Sequence, residues 1–196
     1  MSNIFVTGSD TDVGKTLTSA WICRQTNASY WKPIQTGDDS DAETVAKYAP
    51  STTIIPNTYH LKAPLSAYDS ARLEGIRIDI DKIKDQCPEN HTVIEGAGGA
   101  LVPITDEAMM ADLIRLLNAK ALIVAKSQLG FLNHIFLTVE ALRARNIDIL
   151  GIVLNGETEL ISTIEKFSKC KILAVLKNLN AISNTHVPNE ILQELQ

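Results

Sequence analysis

The sequence predicts a single-domain α/β three-layer sandwich, with a mainly parallel central sheet and helices on both of its faces. Three observations carry this expectation. Short β-branched runs alternate with helix-length amphipathic segments, the pattern of strands joined by helical crossovers. Several of the runs are almost wholly apolar, as strands covered on both faces are. The first run leads through a glycine-bounded loop directly into a helical segment.

In chain order, strands are expected at Ile4–Thr7, Tyr30–Pro33, Thr92–Glu95, Leu122–Ala125, Leu150–Leu154 and Lys171–Val175. Helices are expected to begin at Gly14–Lys15, Asp41, Ile80, Ala108, Asn133 and Glu159. Leu113, Ile114, Leu116 and Leu117, like Ile135, Phe136, Val139 and Leu142, recur at helical spacing and read as core-facing stripes. Residues 50–75 hold Pro56 and Pro64 in a polar mix and read as a long surface connection, which in a compact domain is often functional. The tail after Leu176 has weak periodicity and two Asn-rich stretches. No linker or internal repeat divides the chain, so residues 1–196 are expected to form one domain.

A net charge of −5 supplies no clustered cation surface for nucleic acid. No apolar run reaches the ~20 residues of a membrane span. Ile4-Phe5-Val6 follows the first Met almost at once, without a signal-peptide pattern. Cys23, Cys87 and Cys170 are odd in number, widely spaced and without metal-ligand spacing. They fit a reducing cytoplasm.

Gly8-Ser9-Asp10-Thr11-Asp12-Val13-Gly14-Lys15-Thr16 lies between a strand and a helix. Its glycines let successive N–H groups face one concave site, and the helix dipole adds positive potential there. Lys15 is placed for the β- and γ-phosphates of a nucleoside triphosphate and the Thr16 hydroxyl for magnesium. The fold is therefore expected to be P-loop NTPase-like. Five residues separate the two glycines, where the common pattern has four.

Lys32 follows the second strand within Lys32-Pro33-Ile34-Gln35-Thr36-Gly37, at the carboxyl end of the sheet where open α/β folds bind ligands. A second cation there would stabilise charge on a transferred phosphoryl group or an anionic acceptor; the plain alternative is a solvated lysine. Asp41 opens a helix, where it or Ser40 would also serve as an N-cap. Glu95 ends the third strand and precedes Gly96-Ala97-Gly98-Gly99, which permits close backbone approach to a ligand. Thr16, Asp41 and Glu95 form a reasonable partial magnesium shell.

With these residues in place, the sequence resembles the dethiobiotin synthetase family. The resemblance rests on the Gly8–Thr16 loop with its five-residue spacing, Lys32-Pro33 with Thr36-Gly37, Ser40-Asp41-Ala42 and Glu95-Gly96-Ala97-Gly98-Gly99. It extends to Pro64-Leu65-Ser66-Ala67 on the substrate side, to Leu129-Gly130-Phe131-Leu132-Asn133-His134 and to Asn155. The resemblance implies a cyclo-ligase of biotin biosynthesis that uses ATP and Mg2+. It would close dethiobiotin from 7,8-diaminopelargonic acid and carbon dioxide through a carbamate and a carbamic–phosphoric anhydride.

The same resemblance implies roles for residues. Lys15, Lys32 and Thr11 would act in catalysis. Thr11, Asp12, Val13, Gly14, Lys15, Thr16, Asp41, Glu95, Gly96, Ala97, Gly98 and Asn155 would hold the nucleotide and its metal, with Asn155 at the base. Thr36 and Lys32 would meet the carbamate end of the substrate. Gly130, Leu132 and Asn133 would seat its carboxylate at a helix N-terminus from the second subunit of a homodimer. Ala174-Val175-Leu176-Lys177 stands where the family often has Pro-Trp, which leaves base selectivity open. His60, Tyr68, His91 and His134 read as structural.

Two rivals predict different features. A partition-type nucleotide switch carries an extra lysine early in the loop, where Ser9 and Asp10 stand here. A glutamine-dependent amide-forming ligase needs a cysteine–histidine domain, for which the chain offers no candidate.

Overall fold

The computed structural model describes residues 3–89, 91–177 and 181–195. Alternating apolar residues in short runs produce nine strands among these residues, separated by helical segments. The main sheet contains β1 (Ile4–Gly8), β2 (Ser29–Trp31), β4 (Ile54–Ile55), β6 (Thr92–Gly99), β7 (Lys120–Lys126), β8 (Ile149–Asn155) and β9 (Ile172–Leu176). Their order is β4-β2-β6-β1-β7-β8-β9, and every recorded pairing is parallel. β3 (Ile34–Thr36) and β5 (Tyr59–Leu61) form a separate parallel pair. The expected α/β class and parallel sheet are thus present.

Side chains alternating along the strands feed two cores, one on each face. Ile4, Val6, Val93, Leu122, Val124 and Val153 pack under α1 (Lys15–Thr26), α2 (Asp41–Tyr48) and α9 (Asn189–Leu195), around the fully buried Trp21. Phe5, Ile94, Ile123 and Leu154 face α5 (Met110–Leu116), α6 (Phe131–Arg143) and α7 (Ile161–Ser168). The stripes Leu113–Ile114 and Ile135–Val139–Leu142 lie in that second core, as their spacing predicts. The short α3 (Ala67–Glu74) and α4 (Ile80–Asp85) also pack on this side, and α8 (Ala181–Asn184) precedes α9. No described helix is long and apolar enough to cross a membrane.

Several boundaries differ from the sequence expectation. The strand expected at Tyr30–Pro33 ends at Trp31, because Pro33 lacks an N–H and the chain turns aside into β3. β6 runs on through its glycines to Gly99, whose Cα pairs with Gly8 across a register shift. The helix expected at Ala108 begins at Met110, since the Ala108 carbonyl is taken by the N–H groups of Ile104 and Thr105. That expected at Glu159 begins at Ile161, after the Thr158 hydroxyl accepts from Leu160 N–H. α6 begins two residues earlier than expected, at Phe131, behind a left-handed Gly130. Residues 50–75 are more ordered than a surface connection: they supply β4, β5 and α3. The tail forms α8 and α9, whose Ile191 and Leu195 are buried, while residues 178–180 at its start lie outside the described residues.

Candidate active site

The carboxyl ends of β1, β2 and β6 open onto one cleft of about 740 Å³. Its lining joins Thr11, Asp12, Gly14, Lys15, Thr16, Lys32, Thr36, Asp41, Glu95, Ala97 and Gly98, so residues far apart in sequence converge there. Leu17, Gln35, Asp39, Val102 and the segment Pro64–Ala67 complete the wall.

The first loop is held by its own side chains and by strands β7 and β8. Ser9 N–H donates to the Val124 carbonyl, and Thr11 N–H to the Asp10 carboxylate at 2.7 Å. Gly14 has φ 93°, the left-handed region that favours glycine, and a Cβ there would overlap the Asn155 amide. That amide, at the end of β8, donates to the carbonyl of Val13 at 2.6 Å and lies 3.5 Å from that of Gly14. Asn155 therefore braces the loop from β8, two strands away from β1 in the sheet. Val13 is buried beneath the loop rather than lining the cleft.

The two lysines have different surroundings. Lys15 Nζ donates to the Asp10 carbonyl at 3.2 Å and has no carboxylate in salt-bridge contact among the described residues. Burial lowers its pKa; Glu95 and Asp41 pull upward, and the Lys32 charge pushes it down again. For Lys32, burial also acts downward, but Glu95 and Asp41 outweigh it and hold the ammonium above its ordinary range. Lys32 is paired with Asp41 Oδ2 and lies 3.5 Å from Glu95 Oε1. Burial alone would raise Asp41; the Lys32 charge and hydrogen bond prevail and lower it. One lysine is thus firmly neutralised, while the other faces the cleft with a disfavoured charge that an incoming anion would stabilise.

The hydroxyls around Glu95 show whether a cation fits here. Thr16 Oγ1 lies 2.7 Å from Asp41 Oδ1 and 2.9 Å from Glu95 Oε1. A hydroxyl has one hydrogen, so it cannot donate to both carboxylates at once. These three oxygens, two of them anionic, share one hydroxyl hydrogen and the Lys32 ammonium 3.5 Å from Glu95 Oε1, and they match the oxygen shell that Mg2+ prefers. Only two carboxylates take part, and among the described residues no group of three or more His, Cys, Asp or Glu forms a metal cluster. A nucleotide phosphate would have to supply the remaining charge.

Two residues that the sequence motifs do not single out, Ser19 and Tyr30, bring their hydroxyls to Glu95 Oε2 at 2.8 and 3.0 Å. Ser19 was legible, because it stands four residues after Lys15 on the same helix face. Tyr30 was not, since its approach depends on the β2–β6 pairing. Burial, followed by the Glu95 charge, raises the Tyr30 pKa well above its usual value and keeps the phenol a donor.

Other expected residues stand outside the cleft. A Cβ on Gly96 would lie 2.8 Å from the Phe5 ring, so this glycine has a packing reason. Gly98, at φ 72°, does line the cleft. Gly130, Leu132 and Asn133 stand at the start of α6, with Asn133 exposed. That helix end approaches the loop through His134 Nδ1, 3.4 Å from Asp10 Oδ2. His60 contacts the Gly37 carbonyl and His91 the Leu195 carbonyl.

Comparison with known proteins adds to this geometry. Residues 2–186 match the profile of a family described as an AAA domain. ATP-dependent dethiobiotin synthetase BioD of Paramagnetospirillum magneticum is 44% identical over 187 residues, covering 93% of this chain and 91% of that protein. The protein of the same name from Brucella ovis is 38% identical over 188 residues, covering 93% and 89%. Among solved structures, the MinD cell division protein of Aquifex aeolicus superposes with a TM-score of 0.58 at 14% identity, covering 100% of this chain and 94% of that one. A ParA family ATPase from Chlorobium tepidum gives 0.58 at 12% identity, covering 100% and 91%. These structural likenesses show the shared P-loop NTPase-like fold.

Proposed function

We propose that this chain, which belongs to the ATP-dependent dethiobiotin synthetase family, closes the cyclic urea of dethiobiotin from 7,8-diaminopelargonic acid (7,8-diaminononanoate), carbon dioxide and ATP. One amine adds to carbon dioxide and loses a proton, giving a carbamate. A carbamate oxygen then attacks the γ-phosphorus as the bond to ADP breaks. The second amine attacks the carbonyl carbon of the resulting carbamic–phosphoric anhydride, phosphate leaves as the ring closes, and the attacking nitrogen gives up a proton.

The observation that carries this reading is the convergence of two buried lysines on one cleft beneath the phosphate loop. Carbamate and γ-phosphate repel each other, and fixed positive charge in a site shielded from water lowers that barrier. Lys15 gains a phosphate partner, which restores the charge that burial disfavours. Lys32, held charged by its carboxylates, is placed to steady the carbamate and the transferring phosphoryl group. The Thr11 and Thr36 hydroxyls line the same cleft and can donate to anionic oxygens.

Thr16, Asp41 and Glu95 would hold Mg2+, which supplies charge neutralisation to the phosphates when bound. Asp12, Val13 and Gly14 would present loop N–H groups to the phosphates. Ala97 and Gly98 would face the nucleotide from β6, with Gly96 supporting them from the core side. Asn155 commits its amide nitrogen to the loop, leaving its carbonyl oxygen for the base.

Gly130, Leu132 and Asn133 lie outside the cleft, which favours a seat for the substrate carboxylate that serves a second copy of the chain. Leu129 and Leu137 are exposed beside them and would be covered in such a homodimer. The three free cysteines accord with a reducing cytoplasm.

The test is ATP hydrolysis with Mg2+ and bicarbonate, with and without the diamine. The expected result is phosphate release that depends on the diamine. A nucleotide switch would hydrolyse ATP at the same rate in either case.

A further inference from the structure

The two oxygens of Glu95 are treated differently. Oε1 lies toward Thr16 at 2.9 Å and Lys32 at 3.5 Å. Oε2 meets only hydroxyls among its described contacts, those of Ser19 at 2.8 Å and Tyr30 at 3.0 Å. The last torsion of a glutamate is broad and roughly two-fold, so partners must decide which oxygen faces the cleft.

Counting hydrogens separates these partners, because each hydroxyl carries a single one. The Thr16 hydrogen is contested by Asp41 and Glu95. Ser19 has the Lys15 carbonyl at 3.0 Å as well as Glu95. Tyr30 has Glu95 Oε2 as the one side-chain hydrogen-bond partner recorded for its phenol among the described residues. The ring is fully buried, and β2 is hydrogen-bonded to β6 with Tyr30 in register with Val93. Tyr30 is therefore the donor that holds Glu95 without competition.

We infer that Tyr30 is a positioning residue for the metal–nucleotide site: its phenol fixes the inner oxygen of Glu95, so that the outer oxygen alone is offered to the divalent cation. Ser19 assists with a hydrogen it shares. This rests on the reading of Glu95 as a metal-binding residue. Partners that orient a ligand in this way typically change metal affinity by about 10–100-fold when removed.

The experiment is Mn2+ binding to the protein with saturating ADP, followed by electron paramagnetic resonance of the free ion. It compares wild type with Tyr30→Phe, Ser19→Ala and Glu95→Gln, and ADP affinity is also measured in EDTA. Tyr30→Phe removes one oxygen and keeps the ring, so the core volume is preserved. The expected result is a rise of roughly tenfold in the Mn2+ dissociation constant for Tyr30→Phe, a smaller rise for Ser19→Ala, and unchanged metal-free ADP affinity. If Tyr30→Phe binds Mn2+ as wild type does while Glu95→Gln does not, the inference on Tyr30 is overturned and the role of Glu95 stands. If Glu95→Gln also leaves Mn2+ binding unaltered, the metal assignment itself fails, and the inference with it. A parallel loss of Mn2+ and metal-free ADP affinity would mark Tyr30 as a packing residue only. Should Tyr30→Phe not fold, Tyr30→Met, which also lacks the hydroxyl and adapts to the core, is measured in its place, and wild-type Mn2+ affinity in that variant overturns the inference.

Discussion

Replacing Lys32 with Met keeps the aliphatic stem and deletes the ammonium, which isolates the charge. In the folded protein that charge is paired with Asp41 and lies 3.5 Å from Glu95 Oε1. At an effective dielectric constant near 20, the Glu95 attraction alone is about 5 kcal/mol before desolvation is counted. Most of it offsets the burial of the lysine. The net loss comes instead from the carboxylates left behind, and stripping one partner from a buried pair costs about 3–5 kcal/mol. The Asp41 side chain is 26% exposed, and Glu95 keeps its hydroxyl donors, so a cost of about 2–3 kcal/mol is expected here. For a chain of this size that lowers the melting temperature by roughly 4–12 °C.

The sign of the pH dependence follows from the shifts. Lys32 lies above its unfolded value, so its contribution is complete below pH 10.5 and is lost as pH rises through the folded pKa. Asp41 lies below its own, so its contribution is present above pH 3.8 and is lost as pH falls through the folded pKa. The melting difference between wild type and Lys32→Met is therefore flat across the neutral range and narrows in acid. Turnover should fall by about 10²–10³, as when a donor aimed at developing charge is removed. Differential scanning calorimetry and a phosphate-release assay measure the two effects. Near-normal turnover in a folded Lys32→Met protein would remove this lysine from the reaction, and an unchanged melting temperature would refute the electrostatic argument.

Lys15→Met should behave oppositely without nucleotide. The depressed pKa means that wild-type stability rises with pH from the folded value toward 10.5, so the substitution flattens that alkaline rise in thermal melts. It should also weaken triphosphate binding, by about 10–100-fold as lost charge-assisted hydrogen bonds usually do, readable by calorimetric titration. Gly14→Ala should cost about 1–2 kcal/mol in backbone strain, displace the Asn155 amide and abolish ADP binding. Gly75→Ala, also at positive φ but with nothing within 4 Å of its Cβ, should carry the strain alone and leave ADP binding intact. Leu129→Asp, beside Gly130, should shift sedimentation toward monomer and raise the KM for the diamine. An unchanged sedimentation profile would count against a dimer formed on this face.

Long apolar strands and striped helices were legible because their burial repeats along the chain, as in β7 and α6. β4 and β5 were not, because two or three residues carry no readable period and their pairing with β2 and β3 is set by tertiary contacts. The loop, Lys32, Asp41 and Glu95 were recognisable as a set because each follows a strand or opens a helix at the carboxyl end of a parallel sheet. Neither Tyr30, which reads as core, nor Gly96, which reads as ligand-facing, discloses its neighbour. Their surroundings depend on β6 lying between β1 and β2, with Phe5 under one residue and the Tyr30 phenol beside Glu95. Likewise, the meeting of His134 with Asp10 follows from the adjacency of β1 and β7, which local sequence does not reveal.

Product identification tests most directly whether a carbamate meets a γ-phosphate in this cleft. The protein would be incubated with ATP, Mg2+, 7,8-diaminopelargonic acid and 13C-labelled bicarbonate, and the products read by mass spectrometry. Labelled dethiobiotin with the isotope in the urea carbonyl, formed with one ADP and one phosphate per ring, is the predicted outcome. ATP hydrolysis that proceeds without any labelled cyclic urea would show that the cleft does not join carbamate to phosphate.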